Sequence, residues 1–198
     1  MLLNNFKILD NDEIDVLYEL YYNIFITTAI ADKNKHYSSK IIAGDLLSDP
    51  VKFVTCLDIF SKIQTDESDI GIHYLGLSSE DEFFFKITNQ FLYEKQIEKK
   101  HNLFSNGALT ILKSLESKEE KLLFIYVSTR CKRKINISYP IFTNGFGFDT
   151  KLFSVDAMVI ITKKLLPFLY KYFIVKSFSF VYRNDRLYYF NVEIDDIK

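Results

Sequence analysis

Tryptophan is absent from this 198-residue chain, and methionine (2), cysteine (2), proline (3), histidine (3), arginine (4) and glycine (6) are all scarce. Each shortage excludes something. Nine Gly and Pro residues together are too few for a collagen-like repeat or for low-complexity disorder. The two cysteines, Cys56 and Cys131, cannot build a disulfide scaffold, and their spacing makes neither a CxxC motif nor a zinc pair. A reducing cytosol suits them. No GxxxxGK[ST] loop, GxGxxG turn, GxSxG elbow or HExxH helix is present. Gly145-Phe146-Gly147 is a lone GxG that reads as an ordinary turn.

Long apolar runs are lacking too. Leu20–Ala31 is 12 residues long and Leu165–Val175 is interrupted by Pro167 and Lys171, whereas a spanning helix needs about 20 residues. The first 15 residues run into Asn4, Asn5, Asp10, Asp12, Glu13 and Asp15, unlike the basic start and apolar stretch of a signal peptide. A cytoplasmic protein without membrane contact is expected. Net charge is also small: 25 Lys and Arg against 26 Asp and Glu leave −1. That excludes a histone-like coat for nucleic acid, but not a local basic patch.

What is abundant has a common origin. Phe, Tyr, Met, Ile, Asn and Lys sum to 90 residues, whereas Gly, Ala, Arg and Pro sum to 18. The first group has AT-rich codons and the second GC-rich ones, so the gene belongs to an AT-rich genome. In that background clusters of Lys, Ile, Phe or Tyr carry little information. Positions of Arg, Gly and Pro carry more. A hydrophobic content of 48% supports a real core, and no stretch reads as a linker, so one domain over residues 1–198 is expected.

Along the chain, Asp10 with Glu13 forms a capping box opening a helix over about 12–31, with Ile14, Leu17, Tyr18, Tyr21 and Phe25 at helical spacing. Ser48-Asp49-Pro50 is a cap followed by proline at the first helical position. It starts a helix to about Ile63 with Phe53, Cys56, Leu57, Phe60 and Ile63 as its buried stripe. Ile70–Leu77 predicts a short strand. Ser79 with Glu82 predicts a helix running through Phe83, Phe84, Ile87 and Phe91 to about Lys100, and Asn106 caps another carrying Leu109, Leu112 and Leu115.

The texture changes after residue 117. Lys121–Thr129 and Lys134–Phe142 read as two strands of a hairpin. Ser154 caps a helix over about 155–175 that Pro167 should kink or split. Ser177–Arg183 and Arg186–Ile194 read as a second hairpin around the turn pair Asn184-Asp185, with Phe178, Phe180 and Tyr182 alternating on one face. The expected fold is α+β: a helical N-terminal half (1–117) packed on a small, mostly antiparallel sheet built from C-terminal hairpins (118–198).

Candidate chemistry is thin. His36, His73 and His101 have no local ligand spacing. A Cys56–His73 nucleophilic pair and a metal site from Asp66, Glu67, Asp69, Glu80, Asp81 and Glu82, or from Glu119 with Lys121, have bland readings as core, loop and helix-start residues. No metal, cofactor or catalytic residue is assigned. The feature that stands out is Arg130, Lys132, Arg133 and Lys134: four positive charges in five residues at the expected hairpin tip, using two of only four arginines. Such a tip can neutralise phosphates. Lys163 and Lys164 extend the candidate nucleic-acid surface. Tyr182, Tyr188 and Tyr189 on the terminal hairpin are candidate contacts to a protein partner.

These features lead to an expectation of a non-enzymatic binding factor that docks on a large ribonucleoprotein through RNA phosphates and neighbouring proteins. The ribosome is the most plausible such particle, and silencing of translation, as by a dormancy factor, the most natural effect. The alternatives are a cytosolic protein-binding inhibitor or immunity-type protein, and a metal-dependent nuclease without a recognisable motif.

Overall fold

A computed structural model describes residues 6–27, 36–39, 44, 48–65, 72–77, 82–87, 105–128, 130, 134–138, 161–184 and 186–198. The chain divides into two compact units, Met1–Lys118 and Glu119–Lys198. The division falls one residue from the change of texture read in the sequence. Among the described residues the architecture is α+β: five α-helices, three of them before residue 118, with one three-stranded antiparallel sheet in each unit, so the N-terminal half is not wholly helical as expected.

In the first unit, helix α1 spans Asn11–Thr27. Its capping box forms as the spacing predicts: the Asp10 N–H donates to Glu13 Oε2 at 2.9 Å and the Glu13 N–H to Asp10 Oδ1 at 3.0 Å. Ile14, Leu17, Tyr18, Tyr21 and Ile24 are fully buried, and Phe6 folds back on the rings of Tyr18 and Tyr21. Each such side chain contributes about 1.5–3 kcal/mol by leaving water.

Strand β1 is His36–Ser39 and helix α2 is Pro50–Thr65. Asp49 Oδ1 accepts from the N–H groups of Val51 and Lys52 at 3.1 and 3.2 Å, with Pro50 opening the helix. The expected stripe shifts: Cys56 and Ile59 are buried, Phe53 is half-buried, and Leu57 is exposed. The side chains of Phe60 and Ile63 lie outside the described residues.

Strands β2 (Ile72–Leu77) and β3 (Phe83–Ile87) follow. The helix expected from Ser79 and Glu82 is therefore corrected over Phe83–Ile87; residues 88–100 lie outside those described. Three consecutive phenylalanines favour an extended chain, and β3 pairs antiparallel with both β1 and β2 as the centre of a three-stranded sheet. Two partner ladders outweigh one local cap. Helix α3, Asn106–Ser114, is capped by Ser105, whose Oγ accepts from the Ala108 N–H at 3.1 Å; Asn106 is its first residue rather than its cap. Leu109, Leu112 and Leu115 are buried as expected.

In the second unit the expected strand Lys121–Thr129 is instead helix α4, Lys118–Ser128. Every residue from Lys121 to Ser128 is buried, so no polar face marks a helical period. Glu119 and Glu120 in its first turn suit the positive end of the helix dipole. Phe124 packs on Phe173 (5.4 Å between centroids) and edge-on to Tyr172.

Strand β4 is Lys134–Ser138; residues 139–142 of its expected span lie outside those described. A π-helical turn at Ile161–Leu165 leads into helix α5, Leu166–Tyr172, with Pro167 in its first turn. Proline thus splits the expected helix, which also ends earlier, at Tyr172; its expected start at Ser154 lies outside the described residues. Strands β5 (Phe173–Arg183) and β6 (Arg186–Ile197) form the predicted hairpin, and Asn184 takes the positive φ (51°) that a tight turn requires.

The sheet order is β4-β6-β5, so β4 pairs with the last strand and the expected hairpin between residues 121–129 and 134–142 does not exist. On one face Ile135, Ile137, Phe190, Val192 and Ile194 are buried, with Phe178 and Phe180 stacked on Phe190. The other face carries Asn136, Asn191, Ser179 and Glu193.

Candidate nucleic-acid interface

The basic cluster sits between a helix and a strand rather than on a hairpin tip. Arg130 lies two residues past the end of α4. Its N–H donates to the Val127 carbonyl at 2.9 Å, its Nη1 to the Tyr126 carbonyl at 3.0 Å, and its guanidinium lies 3.9 Å from the centroid of the Tyr126 ring. A cation at a helix C-terminus satisfies orphan carbonyls and opposes the negative end of the dipole. Burial pushes the Tyr126 hydroxyl above its ordinary pKa, and Arg130 pulls the other way. Arg130 therefore has a defined role within the fold.

Lys132 and Arg133 lie outside the described residues. Lys134 opens β4, exposed, and stands opposite Glu193 in the ladder with β6. Lys163 and Lys164 are both exposed on the π-helical turn. All these positions belong to the second unit. Sequence reasoning on short windows missed how far charge separates at the unit boundary. Residues 119–198 hold 13 Lys and Arg against 8 Asp and Glu, net +5, while residues 1–118 hold 12 against 18, net −6. The near-neutral total hides two units of opposite sign.

Of the candidate partner contacts, Tyr182 is 49% exposed on β5 and Tyr189 is half-buried on β6. Tyr188 lies in β6 at a register shift, and its side chain is outside the described residues. Further exposed apolar side chains are Val51, Val54 and Leu57, one stripe of α2 at helical spacing.

Part of the acidic charge of the first unit is paired within it. Glu19 receives Lys113 at 2.7 Å and Lys52 at 3.4 Å, which ties α1 to α2 and α3. Burial raises the Glu19 carboxyl, but the two lysines outweigh it and hold the group below its ordinary value. Lys62 of α2 pairs with the buried Glu13, the same carboxylate that closes the capping box. Cys56, buried and near Glu19, has its thiol pushed up to about 12, first by burial and then by the carboxylate. A thiol so held is not a nucleophile at neutral pH.

No group of three His, Cys, Asp or Glu residues able to hold a metal occurs among the described residues. Asp66, Glu67, Asp69, Glu80 and Asp81 lie outside them. Glu119 is an exposed helix-start residue, while Lys121 is buried inside α4. Among the described residues no helix is long and apolar enough to cross a membrane. Comparison with protein-family models, curated proteins and solved structures finds no match.

Proposed function

We propose that this chain is a binding factor that docks on a large ribonucleoprotein, the ribosome first among them, and silences translation by occupying a site. The observation that carries this reading is the net +5 of the second unit, which contains the 130–134 cluster and the exposed Lys163 and Lys164. A basic unit in a chain whose remainder is acidic can neutralise phosphates locally while the whole chain stays near zero charge. Tyr182 and its neighbours on the terminal hairpin supply aromatic contacts to protein at the same particle. Cosedimentation with ribosomes over a salt series tests this reading. Binding at low salt that weakens steeply with ionic strength is expected, and a protein that stays at the top of the gradient at low salt overturns it.

A protein-binding inhibitor is the second reading, favoured by the exposed apolar stripe Val51, Val54 and Leu57 on α2. It requires that charge reversal at Lys132 and Arg133 leave the complex intact and that no RNA copurify.

A further inference from the structure

The sheet order β4-β6-β5 gives β5 a neighbour on one side only, and among the described residues no strand lies along its outer edge. In an antiparallel sheet alternate residues turn their N–H and C=O groups to one neighbour and the rest to the opposite side. Half of the backbone groups of β5 therefore face outward along a strand of 11 residues. The usual strand has about 5–6.

Exposed edges of this length are ordinarily blunted by proline, charge or a bulge. Where β5 is most regular it has none of its own. Its register shifts fall between Phe173 and Ser177 and opposite Tyr188, the extra residue on β6. From Ser177 to Tyr182 the strand holds no proline and no charge, and Arg183 ends the stretch. Lys176, just before it, has its charge answered by Asp195 at 3.0 Å.

The side chains of this stretch are symmetric about its centre. Phe178, Phe180 and Tyr182 alternate onto one face, with Phe178 42% and Tyr182 49% exposed on either side of the half-buried Phe180. Phe178 meets Phe180 edge-on at 6.2 Å, and both pack on the buried Phe190, so the sheet itself holds two of the three rings in place. Ser177 and Ser179, both exposed, belong to the opposite face with Val181. Aromatic residues spaced equally about a central one read alike in both directions, as an isologous contact requires.

We propose that the outer edge of β5 pairs with β5 of a second copy of this chain, antiparallel about a twofold axis at Phe180, joining two three-stranded sheets into one. Phe178 then lies opposite Tyr182 of the second copy, Phe180 opposite its own counterpart, and Tyr182 opposite Phe178, a row of rings across the junction. No like charges meet directly. Arg183 comes opposite Ser177 of the second copy, and the two arginines stand about 20 Å apart, beyond a Debye length. Lys176, the cation nearest to Arg183 of the second copy, is the one already paired with Asp195. Pairing over this stretch falls near the lower limit of about 1,000 Å² for a specific interface, so the dimer forms and dissociates with concentration. Lys134 is on β4, the opposite edge of the sheet, and takes no part. Tyr182 is covered in the dimer, which reserves its contact with any other protein for the monomer.

The inference does not depend on docking to a ribonucleoprotein. Sedimentation velocity of the full chain, freed of RNA by ribonuclease, over about 1–200 µM tests it, a range suited to a small interface. A reversible monomer–dimer shift is expected, unchanged by salt because backbone pairing and ring contacts are not screened. Tyr182→Lys should weaken the dimer about 10-fold or more, since both symmetric ring pairs are lost. A chain with Phe178→Lys and Tyr182→Lys should be monomeric, as should one with Phe178→Glu and Tyr182→Glu. Mixed, the two should form a one-to-one dimer, because residue 178 of each then faces an opposite charge at 182. Alanine at Lys132, Arg133 and Lys134 should leave dimerisation unchanged. Circular dichroism identifies a double variant that fails to fold, in which case Ser179→Lys, at an exposed position of the same edge, replaces it and should likewise weaken the dimer. A chain that stays monomeric throughout, self-association that salt abolishes, charged variants that dimerise as the wild type does, or a mixture that stays monomeric overturns the proposal.

Discussion

The guanidinium of Arg130 lies 3.9 Å from the centroid of the Tyr126 ring while its Nη1 bonds the Tyr126 carbonyl, so one side chain closes the end of α4 twice. The most informative basic residue of the sequence thus has a structural role. Arg130→Ala should cost about 1 kcal/mol, from a cation–π contact and a charge-assisted bond at a helix end. It should also move Tyr126 further up, because the cation that lowers its pKa is gone and burial remains. Urea unfolding reads the first effect and an ultraviolet tyrosinate titration the second. Equal stability of the variant and wild type would deny Arg130 this role.

Several signals that lie within one turn or one cap were legible before the structure, though the Ser79–Glu82 box and the Asn106 cap were not. Asp10 with Glu13, Asp49 with Pro50, and Asn184 act over two or three residues, and each does what its chemistry requires. What failed depended on partners far away in the chain. Leu122–Val127 is apolar on every side because it is buried on every side, and such a run has no period to read. Phe83–Ile87 became a strand because β1 and β2 both pair with it. The hairpin tip disappeared for the same reason: β4 pairs with β6, more than 50 residues later. The basic cluster was visible as charge, but whether each cation is free or engaged was not.

Glu19 joins three helices through Lys52 and Lys113, and it is only partly exposed. Its folded pKa is lowered, so its contribution is present above the ordinary carboxylate value of 4.5 and is lost as pH falls through the folded value. Glu19→Gln should therefore lower stability by about 1 kcal/mol at pH 7, a figure kept small by solvent screening. The gap between variant and wild type should close in acid, below pH 4.5. Urea midpoints at pH 7 and in acid measure both. A gap that widens in acid contradicts the assignment.

Asn184 holds the hairpin turn with φ at 51°, where a branched side chain is strained. Asn184→Val should lower stability by about 1–2 kcal/mol, while Asn184→Gly should be near neutral. Thermal melts of the two variants decide it, and equal melting temperatures would remove the turn from the argument.

Cys56 has too little thiolate to react at pH 8, since its pKa is pushed up to about 12. Iodoacetamide should leave Cys56 unmodified in the native protein and label it in urea, as peptide mapping would show. Rapid native labelling of Cys56 would mean that α2 opens readily.

The basic segment can be weighed by salt. Arg130 is engaged at the end of α4, so the charges left to neutralise phosphates there are Lys132, Arg133 and Lys134. On single-stranded nucleic acid each neutralised phosphate contributes about 0.7 to the slope of log affinity against log salt. Alanine at all three positions should flatten the slope by about 2 and weaken binding evenly across sequences. Alanine at Lys163 and Lys164 should flatten it by about 1.4 on the same rule, without affecting the fold, because both side chains are exposed. Filter binding of a labelled RNA between low and moderate salt measures these slopes. If the slope is unchanged while affinity falls, those lysines and the arginine act through the protein's own stability rather than through phosphate contact, and the interface must be sought elsewhere on the second unit.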